Sequence, residues 1–353
     1  MRVSDFRRRN FTLSEEQRQL QEVFTALFQK ESPTSRVRAA EPLGFDRELW
    51  RQLTEAGIVA MGLPEAAGGD GGGIVELAIV AQQFGRSLAP VPLVDALVAT
   101  RLLASSGVRS DVVSDLSCGT STACVGLRPV GRGEPQIVSG AAVADFILGL
   151  EEDVLVMFEA PPPPAIPNLA NSPLARRALS GLDGTQTIIA TGPAARTLFN
   201  RAILEWKILM ASAQCGIAIG ALQLVISYVN ERKAFGVPIG TFQAVSHPLV
   251  DVATGIEGSK KLNLRAAWYM DHEPDNATSE VLMAFLYAVE VANRAASIGI
   301  HVQGGLGFTT ESDMQLYFRR ALGWALAAGD SRADLDRLGN CLYGLGTVKE
   351  GLV

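Results

Sequence analysis

Apolar residues recur at helical spacing over the first third of the chain. In residues 11–30 they form one face of a predicted helix, consisting of Leu20, Val23, Phe24, Leu27 and Phe28. This segment starts with Ser14, Glu15 and Glu16, and a hydroxyl followed by acids is typical of a helix N-terminus. Further helices are predicted at residues 45–56, 76–87 and 91–105.

The middle of the chain changes to short apolar or β-branched runs that Gly and Pro separate. We predict strands there at residues 122–127, 136–138, 146–148, 154–159 and 187–190. Helical spacing returns at residues 195–232, 242–271, 279–303 and 314–328. The fold class is therefore mainly α with a small middle β-domain. Its predicted domains are an N-terminal helical domain (1–115), a reduced β-domain (116–193) and a C-terminal helical bundle (194–353).

Composition narrows the class of protein. Of the 353 residues, 48% are hydrophobic and 19% are charged, which indicates a globular chain. The net charge of −6 argues against a sequence-independent nucleic-acid binder. No uninterrupted apolar run approaches the length of a membrane span, and the basic residues 1–10 lead into no signal-like apolar region. The four cysteines are scattered without a CxxC pair, so we expect no metal site, no disulfide framework and a cytoplasmic protein.

Residues 228–243 combine a cation, an aromatic ring and an amide around a predicted helix junction. A helix is expected to end at Gly236, because Pro238 blocks its continuation. Arg232 and Phe235 are three positions apart, which places them on one face of that helix end, and Gln243 follows one loop later. These groups suit a phosphate and an adenine. An ordinary helical hairpin with a surface arginine has the same periodicity.

A glycine cluster follows the third long helix of the C-terminal region. It reads Gly304-Gly305-Leu306-Gly307-Phe308-Thr309 and is followed by Arg319-Arg320-Ala321. Glycines at a helix end let a pyrophosphate approach the backbone closely. Taken alone, the cluster also describes a simple turn.

The two motifs together resemble the C-terminal domain of acyl-CoA dehydrogenases, and the helix–β–helix order extends the resemblance over the whole chain. That family folds as an N-terminal α-domain, a middle β-domain and a C-terminal four-helix bundle. It binds FAD between subunits and oxidises the Cα–Cβ bond of an acyl-CoA. A carboxylate removes the α-proton while a hydride passes from Cβ to the flavin.

The resemblance also implies functions for individual residues. The residues that match those holding the diphosphate and adenosine of a neighbouring subunit's FAD are Arg232, Phe235, Gln243, Gly304 and Gly305. His301 stands where relatives carry a glutamine, and we assign it and Gln303 to the same phosphate region. Lys207 falls where relatives carry an arginine that faces coenzyme A, and it keeps the charge without the planar fork.

The catalytic carboxylate of the family has no counterpart at its usual position. Ala328 occupies that position, and Trp206 occupies the alternative one on the first bundle helix. Glu205, one residue away, would face elsewhere. Certain two-subunit relatives that act on steroid side chains carry a carboxylate that matches Asp251, which is our predicted base. Its apolar neighbours would raise its pKa if it were buried, although an exposed acid or a salt-bridge partner fits the sequence as well.

The middle region also lacks the segment that holds the flavin ring in relatives. The middle region also contains no tryptophan, because the four tryptophans of the chain lie in predicted helical parts, at Trp50, Trp206, Trp268 and Trp324. This pattern suits a duplicated gene whose products form two different subunits. We therefore expect one subunit of a heteromeric FAD-dependent acyl-CoA dehydrogenase that acts on a branched or steroid side-chain acyl-CoA. The alternatives are an inactive scaffold for a partner dehydrogenase, and a homo-oligomeric dehydrogenase that uses Asp251 or a base that the sequence does not reveal.

Overall fold

The computed structural model describes residues 10–181 and 184–344, and its N-terminal part is helical. The helices are α1 (Glu15–Glu31), α2 (Thr34–Ala39), α3 (Arg47–Glu55), α4 (Ile74–Ser87), α5 (Leu93–Ser106) and α6 (Ser110–Ser117). A capping box starts α1, because the Gln17 amide N donates to Ser14 Oγ at 3.2 Å and the Ser14 N donates to Gln17 Oε1 at 2.9 Å. Residues 1–9, which make up most of the basic start, lie outside the described residues.

The middle part is a small sheet region. Its strands are β1 (Ala123–Val125), β2 (Gln136–Val138), β3 (Phe146–Glu151), β4 (Val154–Glu159), β5 (Ala175–Arg177) and β6 (Thr185–Thr191). The larger sheet has the order β1-β3-β4-β6, with β1 parallel to β3 and the other pairs antiparallel. Strands β2 and β5 form a separate antiparallel pair. All residues of β3 are buried, whereas β6, at the edge of the larger sheet, is largely exposed.

The C-terminal part is a helical bundle. Its elements are α7 (Gly192–Glu231), β7 (Lys233–Ala234), β8 (Val237–Pro238), α8 (Gln243–His272), α9 (Ala277–Gln303), α10 (Met314–Ala325) and α11 (Ser331–Tyr343). Short connections reverse the chain after α7 and again after α8. The end of α7, the start of α8 and the end of α9 therefore lie at the same end of the bundle. We call this region the bundle end.

Helix α4 packs closely on α7, which joins the N-terminal helices to the bundle. An added Cβ on Gly85 would lie 1.9 Å from the Ala213 carbonyl oxygen, and one on Gly216 would lie 2.0 Å from the Gln82 carbonyl oxygen. Only glycine fits both positions, so these two residues set the spacing of the helices. A continuous apolar core connects α3, α4 and α5 with the sheet and with α7, α8 and α9.

Several predicted elements differ in detail from those observed. Helix α7 ends at Glu231 and not at Gly236, because the next residues turn into the β7–β8 hairpin. Arg232 and Phe235 therefore do not share a helical face, which corrects that prediction. The short elements α2, α6 and β5 and the helix α11 were not predicted, since their runs are too short or too polar for a periodicity signal.

Two helical segments are long and apolar enough on average to cross a bilayer, although polar residues interrupt both, so neither is an uninterrupted apolar run. They are Gly192–Glu231, with mean hydropathy 1.8, and Pro274–Phe308, with mean hydropathy 1.4. Of their most apolar windows, 83% and 50% respectively are buried inside the protein. Both belong to the packed bundle, so their apolar character comes from a place in the protein core.

Candidate functional site

The α7–α8 connection brings the first motif to the bundle end. Arg232 caps α7, and its carbonyl oxygen accepts a hydrogen bond of 2.8 Å from the Ile239 amide. The β7–β8 hairpin lies between these two residues, and Phe242 then caps α8. Gln243 is the first residue of α8 and is exposed. Arg232, Phe235 and Gln243 are thus gathered by a tight hairpin.

Phe235 is presented to the outside of the chain. Its side chain is 97% exposed, and its ring lies perpendicular to the Phe242 ring, at 6.3 Å between centroids. Its φ of 53° lies in the left-handed region, which a bulky residue adopts at a cost in free energy. A strained, exposed aromatic side chain is typical of a surface that another molecule covers.

The end of α9 completes the bundle end. Gly304 has φ 61°, and an added Cβ on Gly304 or Gly305 would meet nothing within 4 Å, so the backbone there is open to an approaching group. His301 is exposed beside it. Gln303 differs, because it is buried and its Oε1 accepts a hydrogen bond of 2.5 Å from Ser312 Oγ. The Gln303 side chain therefore bonds within the chain, and its oxygen does not face the open surface beside Gly304.

The bundle end is suited to a phosphate and an adenine. Arg232 is exposed and forms no ion pair within the described part of the chain, so its guanidinium is available to an anion. Exposed rings lie nearby at Phe235 and Phe308, and open backbone lies at Gly304 and Gly305. These residues fit the diphosphate and adenosine half of FAD.

The region where the N-terminal helices, the middle part and α10 meet is closed. A segment at residues 168–174 packs on α10, and Arg319 Nη1 donates to the Leu169 carbonyl oxygen at 3.1 Å. An added Cβ on Gly323 would lie 2.2 Å from the Cβ of Ala170. The cavity that remains, which Trp324 and Ala327 also line, has a volume of about 40 Å³. We call it the closed cleft. At about 10–15 Å³ per water it holds a few water molecules and no flavin ring.

A buried carboxyl group lies at the wall of the closed cleft. Asp95, on α5, accepts a hydrogen bond of 2.9 Å from Trp206 Nε1 and one of 2.8 Å from Ser139 Oγ. Burial raises the pKa of Asp95, against the lowering effect of the Trp206 and Ser139 hydrogen bonds. Through these two hydrogen bonds, the Asp95 carboxyl group on α5 contacts both α7 and the middle part of the chain.

An arginine pair fixes α10 to the segment that precedes α3. Glu41 Oε1 contacts Arg319 Nη2 at 2.7 Å and Arg320 Nη1 at 3.3 Å. Arg320 is 1% exposed, and burial lowers its pKa to about 10 although Glu41 opposes this shift. A buried guanidinium needs such a partner, so Glu41 holds the wall of the closed cleft together.

The positions of the family's catalytic base hold no usable carboxylate in this structure. Ala328 lies on a 3₁₀ turn after α10, and the Trp206 indole is bonded to Asp95. Glu205 is buried and pairs with Arg101 at 2.9 Å and with Arg201 at 3.2 Å, as expected for an acid that faces away from the cleft.

Asp251 lies on the outer surface between α8 and α9. Its carboxylate is 63% exposed and contacts Arg294 Nη2 at 3.1 Å. Of the two structural alternatives, the described chain therefore shows the exposed, ion-paired acid. The structure of this chain does not bury Asp251, although burial was the condition on which its prediction as the catalytic base depended.

Lys207 lies on α7 and is buried, whereas a residue that contacts coenzyme A has to be accessible to it. Its ammonium pairs with Asp334 of α11 and lies 4.7 Å above the Phe285 ring. Burial lowers the pKa of Lys207, and the contact with Asp334 opposes that shift. A contact with coenzyme A requires the Lys207–Asp334 pair to separate, so this assignment stays a prediction.

Three structurally important polar residues escaped the sequence analysis: Glu41, Asp95 and Asp334. Glu41 and Asp334 sit in short polar segments without a motif, and their partners are 279 and 127 positions away. Asp95 interrupts an apolar helix, and that single interruption is the signal that could have drawn attention to it. Within residues 10–181 and 184–344, no group of His, Cys, Asp or Glu is arranged to hold a metal ion.

Comparisons with known proteins agree with this architecture. The acyl-CoA dehydrogenase N-terminal domain matches residues 14–108, and the acyl-CoA dehydrogenase C-terminal domain matches residues 197–341. The acyl-CoA dehydrogenase IpdE2 of Mycolicibacterium smegmatis is 32% identical over 332 residues, which cover 92% of this chain and 98% of that protein.

Two solved structures share the fold over nearly their whole length. A variant of the steroid ACAD Tcur3481-Tcur3483 matches with a TM-score of 0.84 and 27% identity, covering 94% of this chain and 98% of that one. The ChsE4-ChsE5 complex from Mycobacterium tuberculosis matches with a TM-score of 0.84 and 24% identity, covering 96% and 100%. The predicted fold class is confirmed, and the chain belongs to the acyl-CoA dehydrogenase family.

Proposed function

We propose that this chain is one subunit of a heteromeric, cytoplasmic acyl-CoA dehydrogenase and that it holds the adenosine half of an FAD whose ring lies in a paralogous partner subunit. The observation that carries the proposal is the contrast between the open bundle end and the cavity of about 40 Å³ in the closed cleft. Acyl-CoA dehydrogenases typically bind FAD. The residues here suit only one half of that cofactor.

The contribution of this chain is therefore binding and orientation. Arg232 would pair with the diphosphate, Phe235 and Gln243 would contact the adenosine, and Gly304 and Gly305 would let the ADP portion approach the backbone. FAD, when bound, supplies the hydride acceptor. Each contact orders a cofactor whose ring lies outside this chain, which explains why the bundle end is exposed before assembly.

The base remains a proposal centred on Asp251. Its carboxylate is exposed in the single chain, and a partner that covers the groove between α8 and α9 would remove it from water. A base supplied by the partner subunit is the competing assignment.

The substrate class follows from the relatives. One structural neighbour is a steroid ACAD, and we propose that the assembled enzyme forms an α,β-unsaturated product from a branched or steroid side-chain acyl-CoA. The chain's own closed cleft has no room for an acyl group, so the substrate would lie in the partner. A wide pocket there would explain the preference for a bulky acyl chain.

Two alternatives remain. A catalytically inactive scaffold that stabilises a partner dehydrogenase is favoured by Ala328 and the closed cleft. In a homo-oligomer that uses Asp251, this chain itself would have to bind the flavin ring, and the closed cleft has no room for it.

Co-expression with a paralogous subunit tests these possibilities. The purified complex is mixed anaerobically with steroid side-chain acyl-CoA or with butyryl-CoA, and bleaching of the flavin absorbance is followed. We expect bleaching with the bulky substrate, and loss of FAD from the complex when Arg232 is replaced. A complex that keeps its FAD and its rate after Arg232→Ala would indicate a scaffold.

A further inference from the structure

A groove of about 780 Å³ lies between α1, α4, α7 and α8, away from the bundle end and from the closed cleft. This volume falls in the range of about 300–1,000 Å³ that is typical of small-molecule sites. Residues from all four helices line it, and all of them belong to the described part of the chain. None of them was assigned to the flavin, to coenzyme A or to catalysis above.

The floor of the groove carries polar side chains without partners. Gln83, Ser212 and Asn263 are each at most 3% exposed and line the groove. Among the described residues, Gln83 Oε1, Ser212 Oγ and both amide atoms of Asn263 have no hydrogen-bond partner. Buried polar atoms are almost always paired, because an unpaired one loses its bonds to water without replacement. A cluster of them at the floor of a large groove indicates a missing polar ligand.

The rim of the groove is basic. Arg86 and Lys261 line it, and neither forms an ion pair with a carboxylate in the part of the chain that the structure describes. The nearby Lys260 differs, because it is paired with Glu257 at 2.6 Å. Glu22 also lines the groove and forms no ion pair among the described residues, and Arg86 Nε donates to Gln223 at 3.2 Å. Arg86 and Lys261 together therefore leave a small excess of positive charge at the mouth, which favours an anionic group on the ligand.

The walls between floor and rim are aliphatic. Ile79, Ile219 and Leu264 line the groove together with the polar residues. Such side chains suit the faces of a flat ring, while an asparagine amide offers one donor and one acceptor to its edge, the arrangement that pairs with adenine. Floor, walls and rim together therefore suit a ring with hydrogen-bonding edges that carries a phosphate.

We propose that the groove between α1, α4, α7 and α8 binds an adenosine phosphate moiety. The ring lies against the aliphatic walls with its edge on Asn263, Ser212 and Gln83, and the phosphate lies between Arg86 and Lys261. The moiety belongs either to a free adenine nucleotide or to the nucleotide end of coenzyme A. The proposal does not depend on the function proposed for the bundle end.

The test is a calorimetric titration of the full chain with AMP, with separate titrations of ribose 5-phosphate and inorganic phosphate. We expect saturable binding of AMP and weaker binding of both probes that lack the ring. Lys261→Ala removes an exposed cation and should weaken AMP binding about tenfold without affecting the fold. Lys30→Ala, an exposed lysine of α1 that does not line the groove, is the matched control and should bind as the unmodified chain does.

Two further variants locate the bound nucleotide. Asn263→Leu removes the unpaired amide and should abolish AMP binding while thermal stability is kept or raised, because no polar atom is left unpaired. All titrations are repeated in the Arg232→Ala background, because the bundle end is proposed to hold an adenosine diphosphate and would add AMP binding of its own. The AMP binding that remains in that background belongs to the groove, and Lys261→Ala and Asn263→Leu should lower it. Where Asn263→Leu does not fold, Lys261→Ala decides. Competition between coenzyme A and AMP would identify the coenzyme as the source, and its absence would indicate a free nucleotide.

The proposal is overturned by any of three results. The first is that AMP at about 5 mM shows no saturable binding, which would mean that ordered water bonds to the polar atoms at the floor of the groove. Inorganic phosphate binds as tightly as AMP, which would indicate an adventitious ion only. AMP binding survives Lys261→Ala or Asn263→Leu but is lost with Arg232→Ala, which would place the nucleotide at the bundle end.

Discussion

The bundle end and the closed cleft have opposite characters. At the bundle end, Arg232, Phe235 and Gln243 are exposed, and the glycine backbone meets no neighbour. Around the closed cleft, Arg320, Trp206 and Asp95 are buried. Trp206 donates to Asp95, Arg320 pairs with Glu41, and the cavity that remains is about 40 Å³. One region leaves a cation, aromatic rings and backbone open to a group from outside, and the other is filled by its own side chains. Under the proposed function, this chain supplies the open half of a shared cofactor site and the partner subunit supplies the other half.

The largest expected effect concerns the base. In the assembled enzyme, Asp251→Asn should keep shape and FAD while flavin reduction by acyl-CoA slows by about 10²–10⁴-fold, because an amide cannot remove a proton. Stopped-flow absorbance measures the rate. Asp275→Asn, at another exposed aspartate, is the control and should react normally. A near-normal rate for Asp251→Asn would assign the base to the partner subunit.

The next effect tests what keeps the cleft closed. Glu41→Ala removes the acid that pairs with Arg319 and with the buried Arg320. Because an unpaired buried guanidinium is costly, we expect the free energy of unfolding to fall by about 3 kcal/mol, reduced somewhat by the partial exposure of Glu41. Urea unfolding measures the loss. Glu48→Ala breaks an exposed pair with Arg51 that solvent screens, and it should change stability far less than Glu41→Ala does. Equal effects of the two variants would contradict a structural function for Glu41.

The bundle end is tested through cofactor retention. Arg232→Ala in the assembled enzyme should weaken FAD binding about 10–100-fold, since a charge-assisted contact with a diphosphate is lost. The FAD content after gel filtration measures this effect, and circular dichroism checks that the fold is intact. Arg51→Ala, which removes an exposed arginine from α3, should retain FAD fully. Unchanged FAD content in both variants would remove Arg232 from the site.

The smallest effect is a pH dependence that originates in the closed cleft. Burial raises the pKa of Asp95, so the folded state binds a proton that the unfolded state releases above its ordinary pKa of about 4. This contribution to stability is full at low pH and is lost as the pH rises from about 4 through the folded pKa.

Asp95→Asn keeps an acceptor for the Trp206 indole and removes this penalty. We expect the variant to exceed the unmodified chain in stability at pH 7, with a smaller difference at pH 5. Thermal unfolding at the two pH values checks the sign. A variant that is less stable at both values would show that Asp95 is ionised and favourably bonded.

The sequence predicts the architecture better than it predicts the contacts. Periodicity located the long helices and the strand region, since burying one face imposes a repeat on the residues. It ended α7 at residue 232, one residue after the observed end. The expectation that Pro238 stops this helix at Gly236 was five residues too late, because the chain after Glu231 forms a hairpin whose register depends on tertiary pairing. Closure of the cleft was not predictable at all. It depends on Ala170 meeting Gly323 and on Glu41 meeting Arg320, which are contacts between distant segments without a motif.

For the site residues, too, the sequence predicts the residue types better than it predicts the contacts that their side chains make. The resemblance named Arg232 and Gln243, and the hairpin does bring them together. Gln303 and Lys207 carry the right chemistry, but their observed partners, Ser312 and Asp334, lie elsewhere in the chain. A motif specifies residue types, whereas the direction of a side chain depends on what the rest of the fold packs beside it.

The most direct test of the shared cofactor site is the ratio of FAD to protein, measured from the visible absorbance of the isolated chain and of its complex with a paralogous subunit. The closed cleft excludes the flavin ring, so we predict that the isolated chain purifies without flavin absorbance. The complex should hold one FAD for each pair of different chains, and Arg232→Ala should lower that content. An isolated chain that purifies yellow, with one FAD per monomer, would contradict the heteromeric arrangement.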